Sequence, residues 1–296
     1  MRHLSWLTLS IGLFLPLIAS APAYAQGRVY VSGTGDDLQL CSRTAPCKTF
    51  SRALTVVAAR GEINCLDSGG FGTVTINKEV TIDCTGVNAG ILSAGTIGVT
   101  VNIAGGAVTL RGLTIDGTGT GTVGVKVLAA SKVNLHDVEI YSHTQQGVFD
   151  ARTAAGNILA IQNSTIRNNA GSGVAVAGSS SSGVILENVV SKQNLYGLSM
   201  ASGITAIITR SSFSNNVTAG LEADAGAGIF VTDSLITFNG TGVLGSGAMA
   251  NTSVVYNTTG ISGSVASFGN NRVFGNASAG SALVAAGAPS TDLGQK

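Results

Sequence analysis

The chain has 296 residues, enough to bury a large core as one big domain or two small ones. Its 16 Lys plus Arg stand against 15 Asp plus Glu, a balance that excludes a strong basic field for nucleic acid or an anionic membrane. Glycine occupies 41 positions and proline only 4, and the rest is rich in Val, Ile, Thr, Ser and Asn. That mixture argues against disorder and against a helical protein, and it points to many short strands with tight turns.

In chain order, Arg2 and His3 precede an apolar run from Leu7 to Ile18, and Ala23-Tyr24-Ala25 follows. This is the order of a secretory signal peptide with a small-x-small cleavage site, over residues 1–25. The expected mature chain starts near Gln26, is secreted, periplasmic or extracellular, and is not inserted in a membrane. Residues 26–61 form a separate N-terminal unit. Val29-Tyr30-Val31 reads as a strand, and Ser32 to Asp37 as a loop. Phe50 to Ala59 is the one amphipathic helix, with Thr49 or Ser51 at its start and Gly61 past its end. Four cysteines, Cys41, Cys47, Cys65 and Cys84, cluster here and none follows, which in an exported chain means two disulfides. No Cys-x-x-Cys is present, against a zinc site.

From residue 62 to 287 a repeat takes over. A glycine followed by an apolar or small residue recurs from Gly72 to Gly280 at intervals of 18 to 26. Each repeat holds a short alternating strand, a turn of small residues and a second strand. A single apolar residue follows (Ile82, Ile115, Ile140, Ile166, Val190, Phe213, Ile236, Val254, Val273). Then comes a polar residue (His143, Asn169, Gln193, Asn216, Asn239, Asn257, Asn276). Three short strands in so few residues fit one rung of a parallel β-helix, whose rungs stack about 4.8 Å apart. Stacked amides can then hydrogen-bond up a column, because each carries both a donor and an acceptor. Cys65 and Cys84 end strands on neighbouring rungs, so the pairing Cys65–Cys84 with Cys41–Cys47 is favoured among the three possible. Residues 288–296 are expected to form a flexible tail.

The repeat resembles the right-handed parallel β-helix proteins of the pectate-lyase-like superfamily, from about Gly61 to Gly287. The start Tyr30-Val31-Ser32-Gly33-Thr34-Gly35-Asp36 and the segment Pro46-Cys47-Lys48-Thr49-Phe50-Ser51-Arg52-Ala53 resemble the N-terminal cap of many secreted members. The expected fold is therefore all-β: a right-handed parallel β-helix solenoid of about ten rungs with an N-terminal helical cap.

Stacking brings distant residues together. Aligned on the single apolar residue, Asp83, Asp116, Tyr141, Arg167, Ser191 and Ser214 fall in one outward column, with Lys192 in the column beside it. The two aspartates suit a calcium ion, and the resemblance implies calcium beside Arg or Lys for a uronate substrate. Their structural role would be to start turns. Tyr141 would stack on a sugar ring, and Arg167 and Lys192 would pair with a glycan carboxylate or sulfate. Column residues are few and long inserted loops are absent. The sequence thus favours a non-catalytic protein that binds extended polysaccharide or a cell-surface component, or serves as an envelope structure. The alternative is a polysaccharide lyase, epimerase or hydrolase acting on an acidic glycan, with Tyr141, Arg167 and Lys192 as its catalytic candidates.

Overall fold

The computed structural model describes residues 26–178 and 182–286, and the expected signal peptide and tail lie outside them. Every rung from the middle of the chain has the same plan. In one of them Lys132–His136 lies in a first sheet, Glu139–Tyr141 in a second and Val148–Asp150 in a third. All three sheets are parallel ladders between successive rungs. The third contains ten strands, and the solenoid makes about nine turns.

The strands form because their alternation suits a pleat with one dry face. In Lys132–His136, Val133 and Leu135 point into the core while Lys132, Asn134 and His136 face out. Inside, like stacks on like. Ile91, Ile115, Ile140 and Ile166 are in register on consecutive rungs and fully buried. The expected column holds from Ile115 onward with one correction: Ser191, not Val190, stands opposite Ile166 and Phe213. Ser191 is buried, and its hydroxyl donates to the Gly197 carbonyl at 2.8 Å. A satisfied buried hydroxyl can occupy an apolar column without the usual penalty.

Two bends per rung need the left-handed backbone region. Between the first and second sheets it is taken by Gly112, Asp137, Asn163, Asn188, Arg210 and Asp233. Asn188 takes this position in its rung, directly after Glu187, which is still paired within the first sheet. Small polar side chains tolerate this region best.

The recurring amide column is a directional ladder. Asn169 donates its backbone N–H and its side-chain amide to the Asn194 carbonyl oxygen, at 3.1 and 3.0 Å. Asn216 does the same to Asn239 at 3.0 and 2.9 Å, and Asn239 to Asn257 at 2.9 Å in both bonds. Asn194, rather than Gln193, is the rung's member. The repeat glycines pack against this ladder. A Cβ on Gly147 would lie 2.9 Å from the Asn169 amide and 2.5 Å from Ile166. Close approach, not a turn, is thus what requires glycine there.

His143 ends the ladder. Its Nδ1 faces the Asn169 Oδ1 at 3.0 Å and its Nε2 faces the Ser93 hydroxyl at 3.1 Å. Asn169 commits its amide NH2 to Asn194, so its oxygen accepts the Nδ1 proton and Nε2 accepts from Ser93. Ser93 is 50 residues away, two rungs. The rung between offers Gly117, where a Cβ would come within 2.8 Å of the imidazole.

The N-terminal end is closed by the cap. Gln26–Val31 pairs parallel with Val57–Cys65, extending the first sheet by one strand. The helix spans Phe50–Val56, shorter than the sequence pattern predicts, since the chain turns extended at Val57 to join that sheet. Thr49 is the N-cap and accepts from the Arg52 N–H at 3.1 Å. Phe50 and Phe71 pack with ring centroids 5.0 Å apart. Both expected disulfides are present, Cys41–Cys47 and Cys65–Cys84, with Cα separations of 4.6 and 4.8 Å.

Two outcomes follow from this packing. Ile166→Asp places an unpaired charge in the stacked core and should cost about 4 kcal/mol or more in denaturant unfolding; an unchanged melting temperature would contradict the burial. Burial lowers the His143 pKa, against the Asn169 hydrogen bond and Asp116, which raise it. The unfolded chain then binds the proton first as the pH falls below about 6.5, so stability drops on acidification. In His143→Gln the loss of melting temperature between pH of about 7.5 and 5 should be smaller than in the wild type.

Candidate functional site

Four of the five sequence-predicted residues meet on the second sheet. Asp116 is in register with Tyr141, Tyr141 with Arg167, and Arg167 with Lys192. Lys192 therefore lies in the same column as Arg167, not beside it, because the register correction at Ser191 moves it by one. All four are half-buried on the outer face.

Asp83 is elsewhere. It lies in the first sheet, in register with Asn64 and Arg111, while the residue that precedes Asp116 in its column is Leu92. The two segments, Val80-Thr81-Ile82-Asp83 and Leu113-Thr114-Ile115-Asp116, look alike, but 33 residues separate their aspartates, more than any rung of the repeat. Asp83 and Asp116 thus cannot share a calcium ion. Among the described residues no group of three or more His, Cys, Asp and Glu side chains comes together to hold a metal. Both aspartates start turns instead. Asp83 accepts the Thr85 N–H at 3.0 Å and Asp116 the Thr118 N–H at 2.7 Å. Partial burial raises the Asp83 pKa, but the Thr85 hydrogen bonds and Arg111, at 3.8 Å, hold the carboxyl below its usual range.

Within the column Tyr141 and Arg167 are partnered. The Arg167 guanidinium lies 4.2 Å from the Tyr141 ring centroid and its Nε donates to Glu139 at 2.9 Å. The Tyr141 ring therefore orients Arg167 with the face that was expected to stack on a sugar. Burial, then the charges of Asp116 and Glu139, raise the Tyr141 pKa, so the phenol stays protonated at neutral pH. Lys192 takes part in no ion pair among the described residues.

Other polar groups are accounted for by stacking. His136 Nε2 accepts from the Asn163 side-chain amide at 3.1 Å. On the third sheet, Ser199 donates to Glu222 at 2.6 Å. Burial and then Asp224 raise the Glu222 pKa, against the Ser199 hydrogen bond. The sequence pattern did not reveal the ion pair Asp150–Arg152. Asp150 occupies an inward position, in register with Val127 and Val176, and both charges are buried. Arg152 donates to it at 2.8 and 2.5 Å and to the Ala130 carbonyl at 3.0 Å. The pair is fully satisfied and closed to solvent, which makes it part of the frame.

The geometry defines a right-handed parallel β-helix, and comparison with known proteins agrees. The family model described as the right handed beta helix region matches residues 149–292. Among solved structures, the crystal structure of pectate lyase Pel9A has a TM-score of 0.66 at 14% identity, covering 87% of this chain and 76% of that one. The complex structure of XylC with xylose has a TM-score of 0.54 at 9% identity, covering 83% and 70%. No curated protein matches the chain in sequence. The chain is therefore a parallel β-helix repeat protein whose fold is similar to that of pectate lyase Pel9A. At these identities the likeness concerns the fold, and activity does not follow from it.

Proposed function

We propose that this chain is an exported β-helix protein that binds an extended acidic polysaccharide along the outer face of the second sheet, without transforming it. The observation that carries this is the placement of Arg167 and Lys192 on consecutive rungs of one column. Two cations about 4.8 Å apart along the axis suit a linear polyanion lying parallel to it. Lys192 is free of ion pairs among the described residues, and Arg167 is held in a fixed orientation by Tyr141 and Glu139. The two disulfides support export, since such bonds persist in oxidising compartments. No helix among the described residues is long and apolar enough to cross a membrane.

A binding role is favoured over a lyase by the state of the column's own groups. Proton abstraction needs a base poised near the working pH. Asp116 is engaged in its turn and Tyr141 is pushed toward its protonated form. The test is affinity electrophoresis in polygalacturonate. Arg167→Gln with Lys192→Gln should weaken retardation by about tenfold or more, since hydrogen bonds to charged groups are worth about 1.5–3 kcal/mol each. The melting temperature should hold, as partly exposed ion pairs contribute little. Equal retardation of the double variant would overturn the site, and unsaturated uronate products seen by ultraviolet absorbance would replace binding by lysis.

A further inference from the structure

The corner between the second and third sheets carries a feature that neither the charged column nor the ladder requires. Successive rungs place Ser142, Asn168, Gln193 and Asn215 in the left-handed position there, and then Phe238 and Tyr256 at φ 56° and 57°. Bulky side chains are outliers in this region, at a cost on the order of 1–3 kcal/mol each. Both rings are also exposed, by 60% and 54%, so burial does not offset that cost. They stack on each other, with centroids 5.7 Å apart and planes 15° from parallel. Gly275 takes the next rung's position, where a Cβ would come 2.7 Å from the Tyr256 ring. Val217, 74% exposed, and Phe274, 71% exposed, belong to neighbouring positions of the same corner.

Toward the N-terminal side the corner holds a shallow depression of about 420 Å³. Its walls include Ser142, Thr144, Asn168 and Gln193, and it ends at Leu195 and Val217. No Asp, Glu, Lys or Arg lines it. The surroundings of the aromatic pair are equally poor in charge, since residues 211–286 contain only Glu222, Asp224, Asp233 and Arg272.

We propose that this corner binds a neutral, extended polysaccharide lying parallel to the helix axis. Amides and hydroxyls match sugar hydroxyls, and the aromatic strip matches the apolar surface of the rings. A lining without cations would leave a uronate carboxylate unpaired, which selects an uncharged polymer. From Ser142 to Tyr256 the corner spans five rung steps, about 24 Å, a length suited to several successive sugar units. This inference rests on the reading of the chain as a glycan-binding protein, and departs from it in the charge of the ligand and in the residues that hold it.

The test is affinity electrophoresis of the full chain in hydroxyethylcellulose, xyloglucan and galactomannan, with polygalacturonate in parallel. The variant is Phe238→Asn with Tyr256→Asn. Asparagine already occupies this position in two earlier rungs and tolerates the left-handed region, so the melting temperature should stay level or rise. At least one neutral polymer should retard the wild type. The asparagine pair should weaken that retardation by about tenfold or more, and Arg167→Gln with Lys192→Gln should leave it intact. The proposal falls if none of the three neutral polymers retards the wild type, or if the asparagine pair is retarded as strongly as the wild type. It falls also if that pair changes only the oligomeric state, which would make the strip an interface between copies. Retardation by polygalacturonate alone, lost with Arg167 and Lys192, would overturn the corner and leave the charged column standing.

Discussion

The rest of the molecule depends on vertical hydrogen bonding between identical positions of successive rungs. A parallel strand pair fixes spacing but tolerates slippage where side chains are small. In this chain the amide ladder removes that freedom. Each ladder asparagine offers one carbonyl oxygen to two donors of the preceding rung, and only one register satisfies both. A rung displaced by one residue would bury unpaired donors and acceptors, each worth about 1–3 kcal/mol. Inner isoleucines, the glycines that clear space for the amides, and the left-handed bends all take their places from that register.

Once register is fixed, the outer surface becomes a set of columns whose chemistry is chosen rung by rung at little structural cost. The first sheet mixes signs along one column, with Asp83, Arg111, His136, Gln162 and Glu187 in sequence, and Asp83 pairs with Arg111 and Gln162 with Glu187. The second sheet keeps like charges adjacent at Arg167 and Lys192. The neighbouring corner drops charge altogether and ends in aromatic rings. One backbone therefore presents surfaces of different polarity side by side, and the two proposed glycan contacts adjoin: residues 141, 167 and 192 are each followed by a corner residue.

The fold was legible because its signals repeat. Glycine spacing, the apolar residue and the polar residue after it recur often enough to identify the winding, and the cysteines fall at matching strand ends. The site was legible in part. The rung of residues 183–192 was misread by one position because a buried serine took the place of the expected apolar residue, and Val190 beside it looked the better match. That slip moved both Lys192 and the ladder member. The placement of Asp83 failed for a different reason: two nearly identical tetrapeptides serve different sheets, and only their separation distinguishes them. Asp150 and Arg152 gave no pattern at all, since an inward-facing acid contradicts the alternation and is resolved only by its partner. Phe238 and Tyr256 carried a readable signal, two aromatics interrupting a series of small polar residues, but its meaning required the backbone angle.

His143 shows what the ladder permits when a rung lacks its asparagine. The imidazole is long enough to pass the rung of Gly117 and reach Ser93, so the vertical chain of bonds continues across a gap. For the history of such a chain this matters. Duplication or loss of a whole rung keeps the ladder's register, and the turns absorb differences of several residues, since rungs of 18 to 26 residues stack in register here. Lineages of this architecture are therefore expected to change length by whole rungs or within the turns, while the ladder positions stay in step.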